Sequence, residues 1–287
     1  MNGNGNGSDN SGFENLRRSI DEKEIFALFH NPFYNPESPL KWRSLSPASL
    51  NNLSGSPFFS ILEDLLAAIN SEGDMKLTQR GYLPPKLCKA VYARRHLPDE
   101  FIDEGITKIT TEKDVTFVHT ARLVARIAGL IKVRNNRMSL TKRGIDLLTP
   151  AKRFELFKVV FDAYTLEFNW GYNDRHPNAP SVQFGFGLTL LLLKVFGSEA
   201  REPEFYADLY RLSVPAVLDE FVDEGYWGTK EENFMRCYIL RSFARFTHVF
   251  GLTEIAGEGS WFKAETPLIR KSELFDAVVG EREKDEE

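Results

Sequence analysis

The stretch from residue 130 to 144 constrains the chain most, because it carries the signals of a tight hairpin at a fixed place. It reads Leu-Ile-Lys-Val-Arg-Asn-Asn-Arg-Met-Ser-Leu-Thr-Lys-Arg-Gly. Residues 130–133 and 138–141 are two short β-prone runs with Asn135-Asn136 between them. Asparagine tolerates the left-handed backbone that tight hairpin turns require. A helix is expected just before, over residues 114–128. On its wheel Phe117, Ala121, Val124 and Ala128 form one face, and His119, Arg122 and Arg126 cluster opposite. Gly129-Leu130 makes a corner, and Thr141-x-x-Gly144 leads into another helix that opens Ile145-Asp146-Leu147-Leu148. Helix, corner, hairpin and helix are the layout of a winged helix, whose strands cover one end of a core too small to close alone.

The same signals recur. Met75-Lys76-Leu77-Thr78, followed by Gln79-Arg80-Gly81 and a helix opened by Pro84-Pro85, reads as an earlier copy of Met138-Ser139-Leu140-Thr141 with Lys142-Arg143-Gly144. A weaker third copy is expected near the C-terminus. There a helix over 234–250 meets Gly251-Leu252, a strand at 253–256, a Gly257-Glu258-Gly259 turn, a strand at 261–265 and a last helix. Between these, residues 151–230 read as helices near 151–168, 182–196, 203–212 and 215–223, interrupted by a Gly/Asn/Pro loop at 171–180. The apolar run 184–193 has about half of the roughly 20 residues that a membrane span needs. It is expected to bury Phe184, Phe186, Leu190, Leu191 and Leu193 in a core.

The fold class that follows is all-α with small β-hairpins, built of tandem winged-helix-like repeats plus a helical C-terminal domain. The expected domains are a disordered Gly/Asn/Ser tail (1–18), an N-terminal helical wrap (19–72), a basic winged-helix-like domain (73–150), and a helical domain (151–287) ending in the third unit. In the wrap, Ser19 and Glu22 have capping-box spacing. The proline-rich segment 32–57 should carry one short helix after Ser46-Pro47 and bury Phe33, Tyr34, Leu40 and Trp42. Helical spacing resumes at Phe58, Ile61, Leu62, Leu65, Leu66 and Ile69.

Charge gives these domains different roles. The net charge is −5, which taken alone disfavours a polyanionic partner. Residues 73–150, however, hold 15 Lys or Arg against 8 Asp or Glu. This basic segment lies between two acidic ones. The candidate nucleic-acid contacts are therefore His119, Arg122 and Arg126 on the helix, Lys132, Arg134, Asn135, Asn136 and Arg137 on the hairpin, and Lys142 and Arg143 after it. Arginine binds guanine and phosphate with two donors at once. Against this stands the ordinary need of an amphipathic helix to expose a polar face, and of a hairpin turn to be solvated.

Signals for catalysis are absent. Cys88 and Cys237 have no CxxC spacing, and the five histidines show no HxxxH or HExxH pattern, so neither a metal nor a cofactor is expected. No phosphate-cradling glycine string occurs. Asp174-Arg175-His176 reads as turn chemistry with a local ion pair. The leading function is a non-catalytic binding or scaffold protein with duplex DNA as ligand. The alternative is a protein–protein interaction module, and the third reading is an enzyme with its site near 168–180. The N-terminus lacks a secretory pattern, and a soluble cytoplasmic protein without a membrane partner is expected. The oligomeric state is not encoded in any of these signals.

Lys76-Leu77-Thr78-x-x-Gly81-x-Leu83-Pro84, followed by Gly129-Leu130 and Leu140-Thr141-x-x-Gly144, resembles a family of bacterial proteins that has no assigned activity. In that family this first segment precedes a winged-helix-like segment and an apolar helical half. Some members end in a SEC-C metal-binding motif, whose cysteines are missing here. The resemblance implies a fold over about residues 20–270 and a bacterial source, but no activity.

Overall fold

The computed structural model describes residues 20–172, 174, 176, 178–256 and 267–282. These residues are mostly helical, with small antiparallel sheets. The strands among them are β1 (Leu40–Trp42), β2 (Met75–Lys76), β3 (Ile131–Arg134), β4 (Arg137–Leu140), β5 (Thr253–Ala256), β6 (Leu268–Lys271) and β7 (Val279–Glu281). They pair as β1-β7, β2-β4-β3 and β5-β6. Among the described residues no helix is long and apolar enough to cross a membrane. The chain divides into two compact bodies.

One body comprises residues 45–169 with 249–252. Ser46 opens the turn Pro47–Gly55, its side chain accepting from the Ser49 amide. Pro57, whose missing N–H costs nothing at a first helical position, starts the helix Pro57–Glu72. Phe58, Ile61, Leu62, Leu65, Leu66 and Ile69 are all buried on it, as their helical spacing requires. It packs against the helix Thr116–Ile127. The helix Arg153–Asp162 adds Phe157 and Phe161, and Phe250 closes on both rings. The expected hairpin is present, with Ile131 opposite Leu140 and Arg134 opposite Arg137. Met75–Lys76, in contrast, has no hairpin of its own. It pairs with β4, Met75 opposite Met138. The two Leu-Thr-x-x-Gly strings therefore lie in one sheet and are not two successive units.

The other body comprises residues 20–44, 170–248 and 253–282, with the gaps given above. Its helix Glu22–Phe29 is capped by Asp21 and Glu24, which bond each other's backbone amides. The expected Ser19 cap lies outside the described residues. Phe33 is buried and stacks on Trp42 at 3.8 Å, Leu40 is buried, and Tyr34 stays exposed. The apolar run is broken into Pro180–Phe184 and Phe186–Phe196. At the break, a Cβ on Gly185 would lie 1.8 Å from the Tyr210 hydroxyl. Phe186, Leu190, Leu191 and Leu193 are buried as expected, but Phe184, on the near side of the break, is 48% exposed. The helices Pro203–Ser213 and Lys230–Tyr238 follow, the latter continuing as the wider π-type coil Ile239–Thr247. The strand expected at 261–265 falls outside the described residues. The observed partner of β5 is β6, and Ser272 then caps the helix Glu273–Val278.

Candidate nucleic-acid interface

The hairpin turn is built by Asn135 and Asn136, with φ of 50° and 56°. Two consecutive left-handed residues give the turn whose twist matches paired strands. Asn136 also ties the tip down, donating its side-chain amide to the carbonyls of Leu77 (3.3 Å) and Thr78 (3.0 Å). At the other end Gly144 approaches the corner so closely that a Cβ would stand 2.2 Å from the Leu130 carbonyl oxygen. Thr141 locks this corner. Its hydroxyl accepts from the Gly144 amide at 3.0 Å and donates to the Gly129 carbonyl at 2.7 Å.

Side chains alternate across a strand, so this register decides which charges meet. Ile131, Met138 and Leu140 point inward and are buried, and Met75 joins them from β2. The opposite face carries Lys132, Arg134 and Arg137, and β2 adds Lys76 opposite Arg137. All four are exposed. Lys76, Arg137 and Arg134 thus form one cross-strand row, with Lys132 a pair further along. Like charges directly opposite each other destabilise a sheet. One of the four is compensated: Arg137 donates from Nε to an Asp74 carboxylate oxygen at 2.5 Å and from Nη2 to the Asp74 carbonyl at 2.9 Å. Among the described residues, Lys76, Lys132 and Arg134 have no ion-pair partner. Lys76 is the member that sequence reading missed. The signal was the alternation Met75-in, Lys76-out, once Met75 is aligned with Met138.

The other expected contacts divide. Arg126 and Lys142 are exposed, as is Asn135. Arg143 donates from Nη1 to the Ala128 carbonyl at 2.8 Å, satisfying the end of the preceding helix. His119 and Arg122 are corrected outright, since both are buried. Their partner is Glu112, wholly buried in a turn ahead of the helix. Glu112 Oε1 lies 2.5 Å from His119 Nδ1 and accepts from Arg122 Nε at 2.6 Å, while Oε2 accepts the Leu83 amide at 2.6 Å. Burial pulls the Glu112 pKa upward, but the bonds from His119, Leu83 and Arg122 outweigh it and hold the carboxyl below its usual range. Two of the three polar-arc residues thus belong to an internal cluster, and Arg126 alone keeps to the surface. Nearby, burial pushes the Cys88 thiol up to about 12, which makes it a poor nucleophile.

The loop at 171–180 does not assemble a reactive site among its described residues. Asn173, Arg175 and Pro177 lie outside them. Asp174 accepts the His176 amide at 2.8 Å, as turn chemistry requires, and its carboxylate also pairs with Arg241, which is distant in sequence. Arg241 donates to both carboxylate oxygens (Nε 2.6 Å, Nη2 3.0 Å) and to the carbonyls of Ala179 and His176. This carboxylate is consumed by a buried guanidinium, and burial lowers the pKa of His176. A cleft in the other body, with room for little more than a water molecule, is lined mainly by apolar side chains, including Ile61, Val91 and Phe117. Its His96 is bonded to Asp64 at 2.8 Å, and its Tyr92 hydroxyl to Asp103 at 2.7 Å. Among the described residues no group of His, Cys, Asp and Glu is placed to hold a metal ion.

Comparison with protein-family models, with curated proteins and with solved structures finds no match to this chain.

Proposed function

We propose that residues 57–147 make one winged-helix-like unit, and that the protein is a non-catalytic binder gripping the phosphate backbone of duplex DNA with the outer face of β2-β4-β3. What supports the fold reading is the order helix, strand, helix, one-turn helix (Glu100–Asp103), helix, hairpin, with the first strand paired to the last. What carries the ligand reading is the row Lys76–Arg137–Arg134 with Lys132 beside it. It concentrates cations on an exposed sheet face of a chain whose net charge is −5. A face of this kind neutralises phosphates without reading bases, since base readout needs side chains reaching into a groove. The helix that enters the major groove in winged-helix DNA binders turns two of its three polar-arc residues inward here. Binding is therefore sequence-independent.

Neutralising Z phosphates gives a log–log salt slope of about −0.9Z, so four contacts give about −3 to −4. Fluorescence anisotropy with a random-sequence duplex over a salt series measures it. Replacing Lys132 and Arg134 together by Ala should weaken binding and flatten the slope by about two contacts. Absence of binding at low salt overturns the proposal. A second reading, docking of an acidic protein, is favoured by two exposed apolar side chains of the same unit, Val133 (39%) and Ile145 (55%), with Val133 on the face of β3 opposite the cations. It predicts that anisotropy stays flat while a protein partner is retained.

A further inference from the structure

We infer that residues 186–278 are a second copy of the unit at 57–147, and that β5-β6 carries a dormant version of the polyanion face in which the cations have been replaced. The inference rests on the proposed function for its ligand, though the duplication stands on geometry of its own.

A short string shows the duplication first. Residues 99–105 read Asp-Glu-Phe-Ile-Asp-Glu-Gly, and residues 219–225 read Asp-Glu-Phe-Val-Asp-Glu-Gly. Both glycines are left-handed, with φ of 76° at Gly105 and 59° at Gly225. The elements around the two strings follow in the same order. Each string is preceded by a helix whose first residue is proline, Pro85–Tyr92 and Pro203–Ser213. Each is followed by a threonine capping box, Thr111 with Asp114 and Thr229 with Glu232. The helical segment after each box ends at a left-handed Gly-Leu corner, Gly129 with φ 68° and Gly251 with φ 69°. Ten residues before each corner glycine stands a buried nitrogen side chain bonded to a buried carboxylate: His119 to Glu112, and Arg241 to Asp174.

The sheets agree residue by residue. Both corners lead directly into a four-residue strand, β3 or β5, paired in full with β4 or β6. The residue after the returning strand, Thr141 or Ser272, caps the next helix by accepting from the amide three positions on. A third segment joins at the same place, since Met75 pairs with Met138 and Arg201 bridges to Ile269. Met138 and Ile269 each lie three residues before their cap.

This register says what became of the cations. Glu254 stands where Lys132 does, Ala256 where Arg134 does, Leu268 where Arg137 does, and Glu202 where Lys76 does. The position of Ser139 is taken by Arg270, which bonds the Glu254 carboxylate at 3.0 Å. The first sheet carries four cations on its outer face, and the second carries one, already paired. The chain therefore takes one duplex where two like units would take two, and these four sheet positions are the determinants of binding.

The test is a transplant in the full chain. Glu254→Lys, Ala256→Arg and Leu268→Arg together should raise the stoichiometry of a short random-sequence duplex from one to two per chain, read by titration at concentrations far above Kd. The same three changes on the Lys132→Ala, Arg134→Ala background should restore the binding those two remove. A control with the same charge gain elsewhere, Asp208→Lys with Glu231→Lys, should add no site. Wild type that retains no duplex overturns the reading of the first face. Wild type that binds, with a folded transplant variant that gains nothing or gains no more than the control, overturns the dormant face alone.

Discussion

Consider the substitution Glu112→Gln. The side chain is wholly buried and receives three donors, from His119, Arg122 and the Leu83 amide. Glutamine keeps the shape and one acceptor oxygen, but leaves the Arg122 guanidinium buried without a counter-charge. Breaking a buried ion pair from one side costs about 3–5 kcal/mol, and the retained hydrogen bond puts this case at about 3. With a urea m-value of about 2 kcal/mol/M, the unfolding midpoint of this body should fall by about 1–2 M at pH 7. Far-UV circular dichroism in urea measures it. The pH dependence supplies a sign check. A carboxyl whose folded pKa is depressed stabilises fully above its unfolded value, 4.5, and loses that contribution as pH falls through the folded pKa. The deficit of Glu112→Gln should therefore shrink below about pH 4.5. Replacing the whole cluster, Glu112→Leu with His119→Leu and Arg122→Met, should recover most of the loss, because a well-packed apolar set often matches a buried ion cluster. A Glu112→Gln variant within about 1 kcal/mol of wild type, or a deficit constant from pH 3 to 7, would refute the reasoning.

Three further outcomes are expected. Gly144→Ala places a Cβ 2.2 Å from the Leu130 carbonyl oxygen and should cost about 1–3 kcal/mol, seen as a lowered Tm by circular dichroism. Asp174→Asn strands the buried Arg241 and should destabilise its body by about 3 kcal/mol; intrinsic tryptophan fluorescence in urea, reporting through the buried Trp170, follows it. Lys132→Ala with Arg134→Ala should flatten the salt dependence of duplex binding without lowering the unfolding midpoint, because both side chains are exposed, make no ion pair among the described residues, and Arg134 stands opposite the like charge of Arg137.

The hairpin at 131–140 was legible because its signals are local: strand alternation on both sides of two asparagines that accept a left-handed backbone. The inward turn of His119 and Arg122 was not. A helical wheel separates polar from apolar positions, but the buried acid that reclassifies a polar arc as interior lies off the helix, in the turn at Glu112. Met75–Lys76 was legible as a strand but misassigned to its own unit, because a two-residue strand carries no mark of a partner in a segment far along the chain. Phe184 fits the apolar run that predicts its burial. Its exposure follows from Gly185, where the Tyr210 hydroxyl leaves no room for a side chain and the helix divides. The second sheet was expected at the right corner, Gly251-Leu252; the pairing of β5 with Leu268–Lys271 was not read, since only the capping serine at 272 fixes that register. The string shared by residues 99–105 and 219–225 was in plain view and needed only a search for repeats at long separation.

The Glu112 tie also sets where this body can breathe. The Leu83 amide is bonded to a desolvated carboxylate that is itself held by His119 and Arg122, so its proton should exchange with solvent only when the body opens as a whole. Asn135 lies at an exposed turn, and its amide should exchange within the fast local fluctuations of a loop tip. The slow and fast amides would then map a stiff base carrying a pliable finger. Under the proposed function, the exposed turn would settle against a phosphate backbone while the ion cluster beneath it stays closed.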